Sequence, residues 1–316
     1  MSKISVIGAG AFGTALAISL ARDGKDVTLW ARDPGDMEEA RENTRRLPGI
    51  PFPSALKVSA DLAQATRAPL ILLALPLQQT AHFLAQHAAL FKDQTLVCCS
   101  KGIDRETGRG PAEIIRATCP DATPAVLSGP SFAIDLAAGL PTALTLAADD
   151  PEPLQRALTT SNLRLYRSTD MIGVELGGAL KNVVAIACGV AIGAGLGESA
   201  RAALMTRGYA EMNRFAQSLG AQRETLSGLS GFGDLALTCT SEKSRNFAYG
   251  LALGQGRPGA KGVTIEGKAT AQAVADAAQR AGIEMPIAET VVALVSGAVT
   301  VKNAAEALLT RPLKEE

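Results

Sequence analysis

The sequence predicts an α/β protein in which an N-terminal, mostly parallel β-sheet domain is followed by an all-helical C-terminal domain. In the first half, short apolar runs alternate with helical patterns, which is typical of a parallel sheet covered by helices on both faces. After about Thr169 the strand patterns stop and only helical patterns follow. We therefore predict one domain at residues 1–169 and a second at 170–316. The 316 residues are enough for two domains of ~100–200 residues each.

The predicted strands are apolar runs bounded by turn residues. KISVI at residues 3–7 begins the sheet and precedes a helix at 14–23. The continuous apolar run at 70–75 ends at Pro76, which is typical of a strand buried on both faces. The other strands are predicted at 26–30, 95–99, 125–127, 142–147 and 163–166, with helices at 78–90 and 111–118. The C-terminal helices are predicted at 171–194, 199–219, 244–254, 267–281, 287–296 and 302–309. Ser168 or Thr169 is the expected cap of the first of these.

Composition excludes several classes of protein. Lys+Arg and Asp+Glu are both 31, so the excess positive charge of a nucleic-acid-binding protein is missing. The five cysteines form no CxxC pair, and the two histidines are poorly spaced for one metal, so we predict no metal site. The longest uncharged apolar stretch, residues 183–197, is shorter than the ~20 residues that span a bilayer. With no room for a signal peptide before the first strand, we expect a cytoplasmic protein without a membrane span.

Three glycines after the first strand indicate a nucleotide site. Gly8, Gly10 and Gly13 fit the pattern G-x-G-x-x-G between a predicted strand and a predicted helix. In Rossmann-type domains the first glycine permits the turn, the second admits the pyrophosphate, and the third lets the helix pack closely. The amide groups at the helix N-terminus then bind the phosphates. The pattern therefore predicts binding of NAD or NADP.

The end of the second strand bears on the choice of cofactor. An NAD-restricted site usually has Asp or Glu there, to bind the ribose 2′-hydroxyl. This chain has Ala31 at about that position, followed by Arg32 and Asp33. Because an arginine can pair with the 2′-phosphate of NADP, we favour NADPH. Because Asp33 could contact the ribose of NAD, binding of NAD also remains possible. Alternatively, Arg32 is an ordinary surface charge.

Polar residues also follow other predicted strands and open one helix. Lys101 follows the strand at 95–99, and Gly129 and Ser131 follow the next strand, at the sheet edge where ligands bind. Asp234 lies between glycines and an apolar run, and Ser244, Arg245 and Asn246 open a helix. A helix N-terminus with an arginine can bind phosphate. For each segment alone, a turn or cap role is the simpler explanation.

Lys181 is the only charged side chain in residues 176–197. Apolar neighbours would disfavour its charged form and lower its pKa, so that it could exchange a proton near neutral pH. The alternative is that Lys181 extends to the helix surface and has no chemical role.

Across nearly its whole length, the chain resembles the bacterial NAD(P)-dependent glycerol-3-phosphate dehydrogenases. The resemblance is carried by GAGAFGTALA at 8–17, SKGI at 100–103, GPSFA at 129–133, ELGGALKN at 175–182, ALMTRG at 203–208, GDLALTCTS at 233–241, SRN at 244–246 and IEG at 265–267. It implies reversible reduction of dihydroxyacetone phosphate to sn-glycerol 3-phosphate, supplying glycerophospholipid synthesis. It also implies a small-molecule substrate and a possible homodimer.

The resemblance also implies roles for individual residues. Lys181 would be the proton donor or acceptor, and Asp234 a carboxylate on the substrate side. The substrate would be surrounded by Lys101, Gly129, Ser131, Ser244, Arg245 and Asn246. The cofactor would be lined by Ala11, Phe12, Arg32, Lys101, Ala133, Arg245 and Glu266. The chain departs from the usual family residues at Ala11-Phe12 (commonly Ser-Trp), Ser199 (often Asn) and Thr264 (often Val).

Two other functions remain open at this point. A 3-hydroxyacid dehydrogenase would also combine a Rossmann-type domain with a helical lysine, but would bind a carboxylate substrate and would not need the SRN helix start. A non-catalytic NADP-sensing module would keep the glycine turn but could dispense with Lys181 and Asp234.

Overall fold

The computed structural model describes residues 3–260 and 264–309, with side chains up to residue 307. These residues form two compact units. The sheet unit comprises the described residues up to Lys101 together with Arg109–Glu175, and the helical unit comprises Gly102–Gly108 and the described residues from Leu176 onward. The ends of the predicted domain ranges, residues 1–2 and 310–316, lie outside the described residues.

The sheet unit contains one eight-stranded sheet. Its strands are β1 Ile4–Ile7, β2 Val27–Trp30, β3 Lys57–Ser59, β4 Leu70–Leu73, β5 Thr95–Cys98, β6 Thr123–Ser128, β7 Thr142–Ala147 and β8 Leu163–Ser168. Their order is β3-β2-β1-β4-β5-β6-β7-β8. All neighbours are parallel except β6 and β7, which are antiparallel. The predicted α/β fold class with a mostly parallel sheet is therefore confirmed.

Within the described residues, seven α-helices lie wholly in this unit, and a short 3₁₀ helix at Ala88–Leu90 follows the fourth. The seven α-helices are α1 Ala11–Arg22, α2 Met37–Ala40, α3 Leu62–Ala65, α4 Leu77–His87, α5 Pro111–Thr118, α6 Ala133–Ala137 and α7 Pro151–Leu158. The sequence did not predict β3, α2, α3, α6 or α7. Apart from α7 they are at most five residues long, which is too short for a hydrophobic period to show.

The core of the sheet unit lies on both faces of the sheet. Two consecutive residues of β1, Val6 and Ile7, belong to two different buried clusters. Leu72 and Leu73 of β4 divide in the same way. Successive side chains of a strand point to opposite faces, so strands covered on both sides are apolar throughout. This is why continuous apolar runs, rather than alternating ones, mark the central strands.

The helices from residue 171 onward include all six that the sequence predicts, and all but the start of the first lie in the helical unit. They are α8 Met171–Gly193, α9 Gly197–Ser218, α10 Arg223–Ser227, α11 Asp234–Cys239, α12 Arg245–Gly254, α13 Glu266–Ala281, α14 Pro286–Ser296 and α15 Val301–Leu309, with a π-helical segment at Leu229–Gly233. The division between the units falls inside α8, after Glu175. The six predicted helices end within two residues of the observed bounds, whereas α10, the π-helical segment and α11 were not predicted.

The cap of α8 differs from the expectation. The carboxylate of Asp170, and not Ser168 or Thr169, accepts the hydrogen bond from the backbone N–H of Gly173 at 2.8 Å. The Ser168 hydroxyl instead accepts from the backbone N–H of Asp170 at 3.0 Å. An N-cap side chain accepts from an amide two or three residues later, and Asp170 lies three residues before Gly173.

Among the described helices, α8 alone is long and apolar enough to cross a membrane by length and composition. Most of its apolar window, 89%, is buried inside the structure, which is the pattern of a core helix. All five cysteines are buried and free. In the described part of the chain, no group of three His, Cys, Asp or Glu side chains could hold a metal ion.

Candidate active site

The turn between β1 and α1 requires glycine at two positions. Gly8 has φ +114°, and a Cβ there would lie 2.6 Å from the carbonyl oxygen of Ala74. A Cβ at Gly13 would lie 2.1 Å from the carbonyl oxygen of Gly8. A Cβ at Gly10 would meet nothing within 4 Å, so this position faces open space. Gly8 and Gly13 thus permit close backbone contacts, whereas Gly10 leaves room for a ligand.

The N-terminus of α1 has a free set of donors. Gly10 is its N-cap and has no side chain to bond the first amides. The first helical hydrogen bond runs from Thr14 N–H to the Gly10 carbonyl at 2.9 Å. The amides of Ala11, Phe12 and Gly13 therefore precede any acceptor within the helix. They lie at the carboxyl end of β1, where the strand order reverses and dinucleotides bind.

Arg32 and Asp33 follow β2 and are both exposed. The Asp33 carboxylate accepts from the backbone N–H of Gly35 at 3.1 Å and from an Arg45 guanidinium nitrogen at 3.3 Å. The first acidic side chain after this strand thus already has partners within the sheet unit.

Near the ends of β5 and β6, the structure places Lys101, Gly129, Ser131 and Ala133. Lys101 Nζ donates to the carbonyl oxygen of Gly129 at 3.1 Å. Within the described residues, the buried hydroxyl oxygens of Ser128 and Ser131 have no hydrogen-bond partner. Buried hydroxyls are nearly always paired, so two unpaired ones at the ligand-binding edge of the sheet fit a bound polar group.

In the helical unit, Lys181 of α8 meets two polar side chains of α11. Its Nζ donates to Asp234 Oδ1 at 2.7 Å and to Thr238 Oγ1 at 2.6 Å. The side chain of Lys181 is 8% exposed and that of Asp234 is 1% exposed. Lys181 therefore does not extend into water, and its ammonium group is surrounded by a carboxylate and a hydroxyl rather than by apolar neighbours alone. The carboxylate stabilises the charged form of the lysine.

The segment before α11 explains how Asp234 reaches α8. Leu229–Gly233 is π-helical and leads directly into Asp234, the first residue of α11. A Cβ at Gly177 of α8 would lie 2.6 Å from the carbonyl oxygen of Ser230. The absence of a side chain at Gly177 thus permits the close approach that buries Asp234 beside Lys181. Such π-helical segments often occur at functional sites.

Asn182 and Asn246 form a second polar contact in this unit. Asn246 Nδ2 donates to Asn182 Oδ1 at 2.9 Å, and Asn246 Oδ1 accepts from the backbone N–H of Gly267 at 2.9 Å. Both ends of the Asn246 amide therefore tie α12 to α8 and α13. In the described part of the chain, the buried Nδ2 of Asn182 has no acceptor. A buried donor left unpaired, on the residue that follows Lys181 in α8, fits a bound ligand oxygen.

The N-terminus of α12 presents a second set of amides. Ser244 is its N-cap and accepts from the backbone N–H of Phe247 at 3.3 Å. The amides of Arg245 and Asn246 precede the first helical bond, from Ala248 N–H to the Ser244 carbonyl at 2.8 Å. The Arg245 side chain is 58% exposed, and its guanidinium lies 4.0 Å from Glu266 at the start of α13. This end of α12 thus combines two amides that have no acceptor within the helix with an exposed positive charge.

The predicted site residues are divided between the two units. The sheet unit contains Gly8, Gly10, Ala11, Phe12, Gly13, Arg32, Lys101, Gly129, Ser131 and Ala133, and the helical unit contains Lys181, Asp234, Ser244, Arg245, Asn246 and Glu266. Sequence reasoning did not single out Thr238 or Asn182. Thr238 lies one helical turn after Asp234, and that spacing was the available signal.

Comparison with known proteins covers almost the whole chain. The family model described as the N-terminus of NAD-dependent glycerol-3-phosphate dehydrogenase matches residues 3–153, and the model of the C-terminus matches 170–306. Glycerol-3-phosphate dehydrogenase [NAD(P)+] of Ruegeria sp. (strain TM1040) is 58% identical over 99% of this chain and 100% of that protein. The protein of the same name from Paracoccus denitrificans is 59% identical over the same shares.

A solved structure agrees with the sequence relatives. The crystal structure of glycerol-3-phosphate dehydrogenase from Coxiella burnetii is 38% identical, covers 98% of this chain and 99% of its own, and superposes with a TM-score of 0.93. The resemblance predicted from the sequence motifs is therefore confirmed over the hydroxyacid-dehydrogenase and sensor alternatives. The chain belongs to the NAD-dependent glycerol-3-phosphate dehydrogenase family and is an NAD(P)-dependent oxidoreductase.

Proposed function

We propose that this chain catalyses the reversible reduction of dihydroxyacetone phosphate to sn-glycerol 3-phosphate, with Lys181 as the general acid and base. The observation that supports this role is the buried contact of Lys181 Nζ with Asp234 and Thr238. A lysine held by two partners in a nearly dry environment is oriented for proton transfer. Hydride transfer is supplied by the nicotinamide cofactor when it is bound.

The residues present fit a dinucleotide. Gly10 leaves open space beside the free amides of Ala11, Phe12 and Gly13, and these can bind a pyrophosphate. Arg32 is exposed at the end of β2, while Asp33 is already paired with Arg45. An arginine beside an ion-paired carboxylate favours the 2′-phosphate of NADPH over the bare hydroxyl of NADH. NADPH is therefore the preferred cofactor in this proposal, with Ala133, Lys101, Arg245 and Glu266 as further contacts.

The substrate phosphate is assigned to the N-terminus of α12. The free amides of Arg245 and Asn246 and the guanidinium of Arg245 provide charge-assisted hydrogen bonds to a phosphate. Ser244 holds the helix end in place as its cap. The unpaired Nδ2 of Asn182 donates to an oxygen of the three-carbon chain. Lys101, Gly129 and Ser131 are assigned to the same substrate.

The proton step follows from the contacts of Lys181. As hydride reaches the carbonyl carbon, negative charge develops on the carbonyl oxygen, and the ammonium group of Lys181 stabilises it. Lys181 Nζ then gives one proton to that oxygen, forming the hydroxyl, and is reprotonated from water. Asp234 balances the charge of the lysine, and Thr238 fixes the direction of Nζ. In the oxidation direction, neutral Lys181 takes the hydroxyl proton.

The test is the loss of nicotinamide absorbance when dihydroxyacetone phosphate is mixed with NADPH or NADH. We expect Lys181→Ala to lower kcat by at least about a hundredfold while leaving NADPH affinity within about twofold, since general acid–base catalysis contributes ~10²–10⁴-fold. Lys302→Ala is the matched control, because Lys302 is an exposed lysine of the same unit. Unchanged turnover in Lys181→Ala would exclude the mechanism.

The cellular setting completes the proposal. Five free, buried thiols suit the reducing cytoplasm, where the product would supply glycerophospholipid synthesis. A homodimer is proposed from the family resemblance. Light scattering of the purified protein checks it, and a mass equal to one chain would exclude it.

A further inference from the structure

A short turn between β2 and β3 contacts the glycine turn and has no role in the function described so far. We call this turn, residues 43–46, the Asn43 turn. The side chain of Asn43 is buried, and the residue is only 2% exposed. Asn43 Nδ2 donates to the carbonyl oxygen of Ala9 at 3.0 Å and to Thr14 Oγ1 at 2.8 Å. Ala9 lies between Gly8 and Gly10, so Asn43 is hydrogen-bonded directly to the backbone of the glycine turn.

Asn43 also closes its own turn. Its Oδ1 accepts from the backbone N–H of Arg46 at 3.2 Å, and its carbonyl oxygen accepts from Leu47 N–H at 2.8 Å. Both polar atoms of the Asn43 side chain are therefore used; the bond to Thr14 is buried, and the bonds to Ala9 and Arg46 are partly buried. Buried hydrogen bonds of this kind are rigid, because breaking one leaves an unpaired polar group. The hydrogen bonds of Asn43 thus hold the Asn43 turn and the glycine turn in a fixed relative position.

Arg45 extends from this turn toward the end of β2. Its guanidinium pairs with Asp33 at 3.3 Å, and a Cβ at Gly35 would lie 2.9 Å from one of its nitrogens. The side chain of Arg45 is 66% exposed, so it is accessible to a ligand. Asp33 directly follows Arg32. The Asp33 carboxylate thus pairs with Arg45 and belongs to the residue that follows Arg32, at the strand end that faces the adenosine ribose in this class of fold.

We propose that the Asn43 turn is a second cofactor-recognition element, in which Asn43 positions the glycine turn for the pyrophosphate and Arg45 binds the adenosine 2′-phosphate together with Arg32. The role of Arg45 rests on the proposed preference for NADPH, whereas that of Asn43 applies to both cofactors. A phosphate carries two negative charges and three acceptor oxygens, so it can accept from both guanidinium groups and replace Asp33 as the partner of Arg45. NADH lacks this group and gains nothing from Arg45.

The first experiment isolates the adenosine end of the cofactor. Binding of adenosine 2′,5′-bisphosphate and of adenosine 5′-monophosphate to the full chain is measured by calorimetry. We expect Arg45→Gln to weaken binding of the bisphosphate about fivefold, the upper range for one exposed ion pair, and to leave the monophosphate unchanged. Arg67→Gln is the matched control, because Arg67 is an exposed arginine elsewhere in the sheet unit. Arg32→Gln reports on the proposed NADPH preference independently.

The second experiment tests Asn43 by steady-state kinetics. We expect Asn43→Ala to raise the KM for both NADPH and NADH about tenfold, while kcat at saturating cofactor stays within about twofold. Loss of folded protein would instead lower the apparent kcat at unchanged KM. Thr14→Ser, which keeps the hydroxyl that Asn43 contacts, is expected to retain the wild-type KM.

The outcomes separate the two proposals. If Arg32→Gln weakens binding of the bisphosphate and Arg45→Gln does not, the role of Arg45 is overturned and the NADPH preference stands. If the wild-type chain binds both nucleotides equally, the NADPH preference and the role of Arg45 are both overturned. An unchanged KM in Asn43→Ala overturns the positioning role, whatever the cofactor preference.

Discussion

Glu211 of α9 is a buried carboxyl that caps another helix. It is 5% exposed, and its two oxygens accept from the backbone N–H groups of Ile287 at 2.9 Å and Ala288 at 3.4 Å. These are the first amides of α14, whose own N-cap residue, Met285, has no acceptor. The cap of α14 is thus supplied from a helix that is distant in the sequence.

Burial raises the pKa of Glu211 from its ordinary 4.5 to about 7, against the opposing effect of the two amide hydrogen bonds. The Arg214 charge opposes this rise, and the Glu289 carboxylate adds to it. Because the folded chain holds this proton more tightly than the unfolded chain, its contribution to stability is complete below about pH 4.5 and is lost as the pH rises through 7. Between about pH 5 and pH 8 the loss amounts to about 2.5 kcal/mol.

Glu211→Gln removes the titration and keeps one acceptor oxygen for α14. At pH 5 we expect the variant to lie within about 1 kcal/mol of the wild type, since both side chains are then mostly neutral. At pH 8 the variant should have gained about 2.5 kcal/mol relative to the wild type. The assay is urea denaturation followed by far-ultraviolet circular dichroism at several pH values.

Glu224→Gln provides the matched control, because Glu224 is an exposed glutamate of the same unit. Its stability should follow that of the wild type in parallel over the whole pH range. A difference between wild type and Glu211→Gln that stays constant from pH 5 to pH 8 would refute the reasoning. It would mean that Glu211 titrates alike in the folded and unfolded chain.

Two further predictions concern the glycine turn and the lysine. Gly13→Ala should lower the thermal midpoint and abolish NADPH binding, because its Cβ would lie 2.1 Å from the Gly8 carbonyl oxygen. Gly10→Ala should keep the wild-type thermal midpoint and still weaken NADPH binding, as measured by fluorescence titration. Equal thermal midpoints for the two variants would contradict the different roles assigned to Gly10 and Gly13. Thr238→Val removes the hydroxyl that Lys181 contacts at 2.6 Å and should lower kcat about tenfold without changing the KM for NADPH. A normal kcat would show that Thr238 does not orient the lysine.

The long elements of the fold could be predicted from the sequence, and the short ones could not. Runs such as residues 70–75 and the pattern of α8 contain enough apolar residues to show burial and period. Elements such as α2 and α3 have four residues each, and tertiary contacts decide them. One example is Arg41, which follows α2 with φ +53° and donates to the carbonyl oxygens of Pro53 and Leu56. No local pattern encodes these long-range bonds.

The candidate site divides in the same manner. The glycine turn, Lys181 and Asp234 could be proposed from the sequence, because each has a recognisable local context: spaced glycines after a strand, a single charge in an apolar helix, and an aspartate between glycines and an apolar run. The partners Thr238, Asn182 and Asn43 could not, because their contacts are made with residues distant along the chain. Only the hydrogen bonds distinguish these three from similar residues elsewhere.

The sequence by itself determined the fold class, the nucleotide turn, the family resemblance and the unusual lysine, because periodicity, glycine spacing and local charge are properties of neighbouring residues. Only the tertiary structure decided what surrounds that lysine. Lys181 and Asp234 are 53 positions apart, and their Nζ–Oδ1 distance of 2.7 Å arises from the packing of α11 on α8. Burial and pairing depend on residues distant along the chain, and these set the charge state and direction of a side chain.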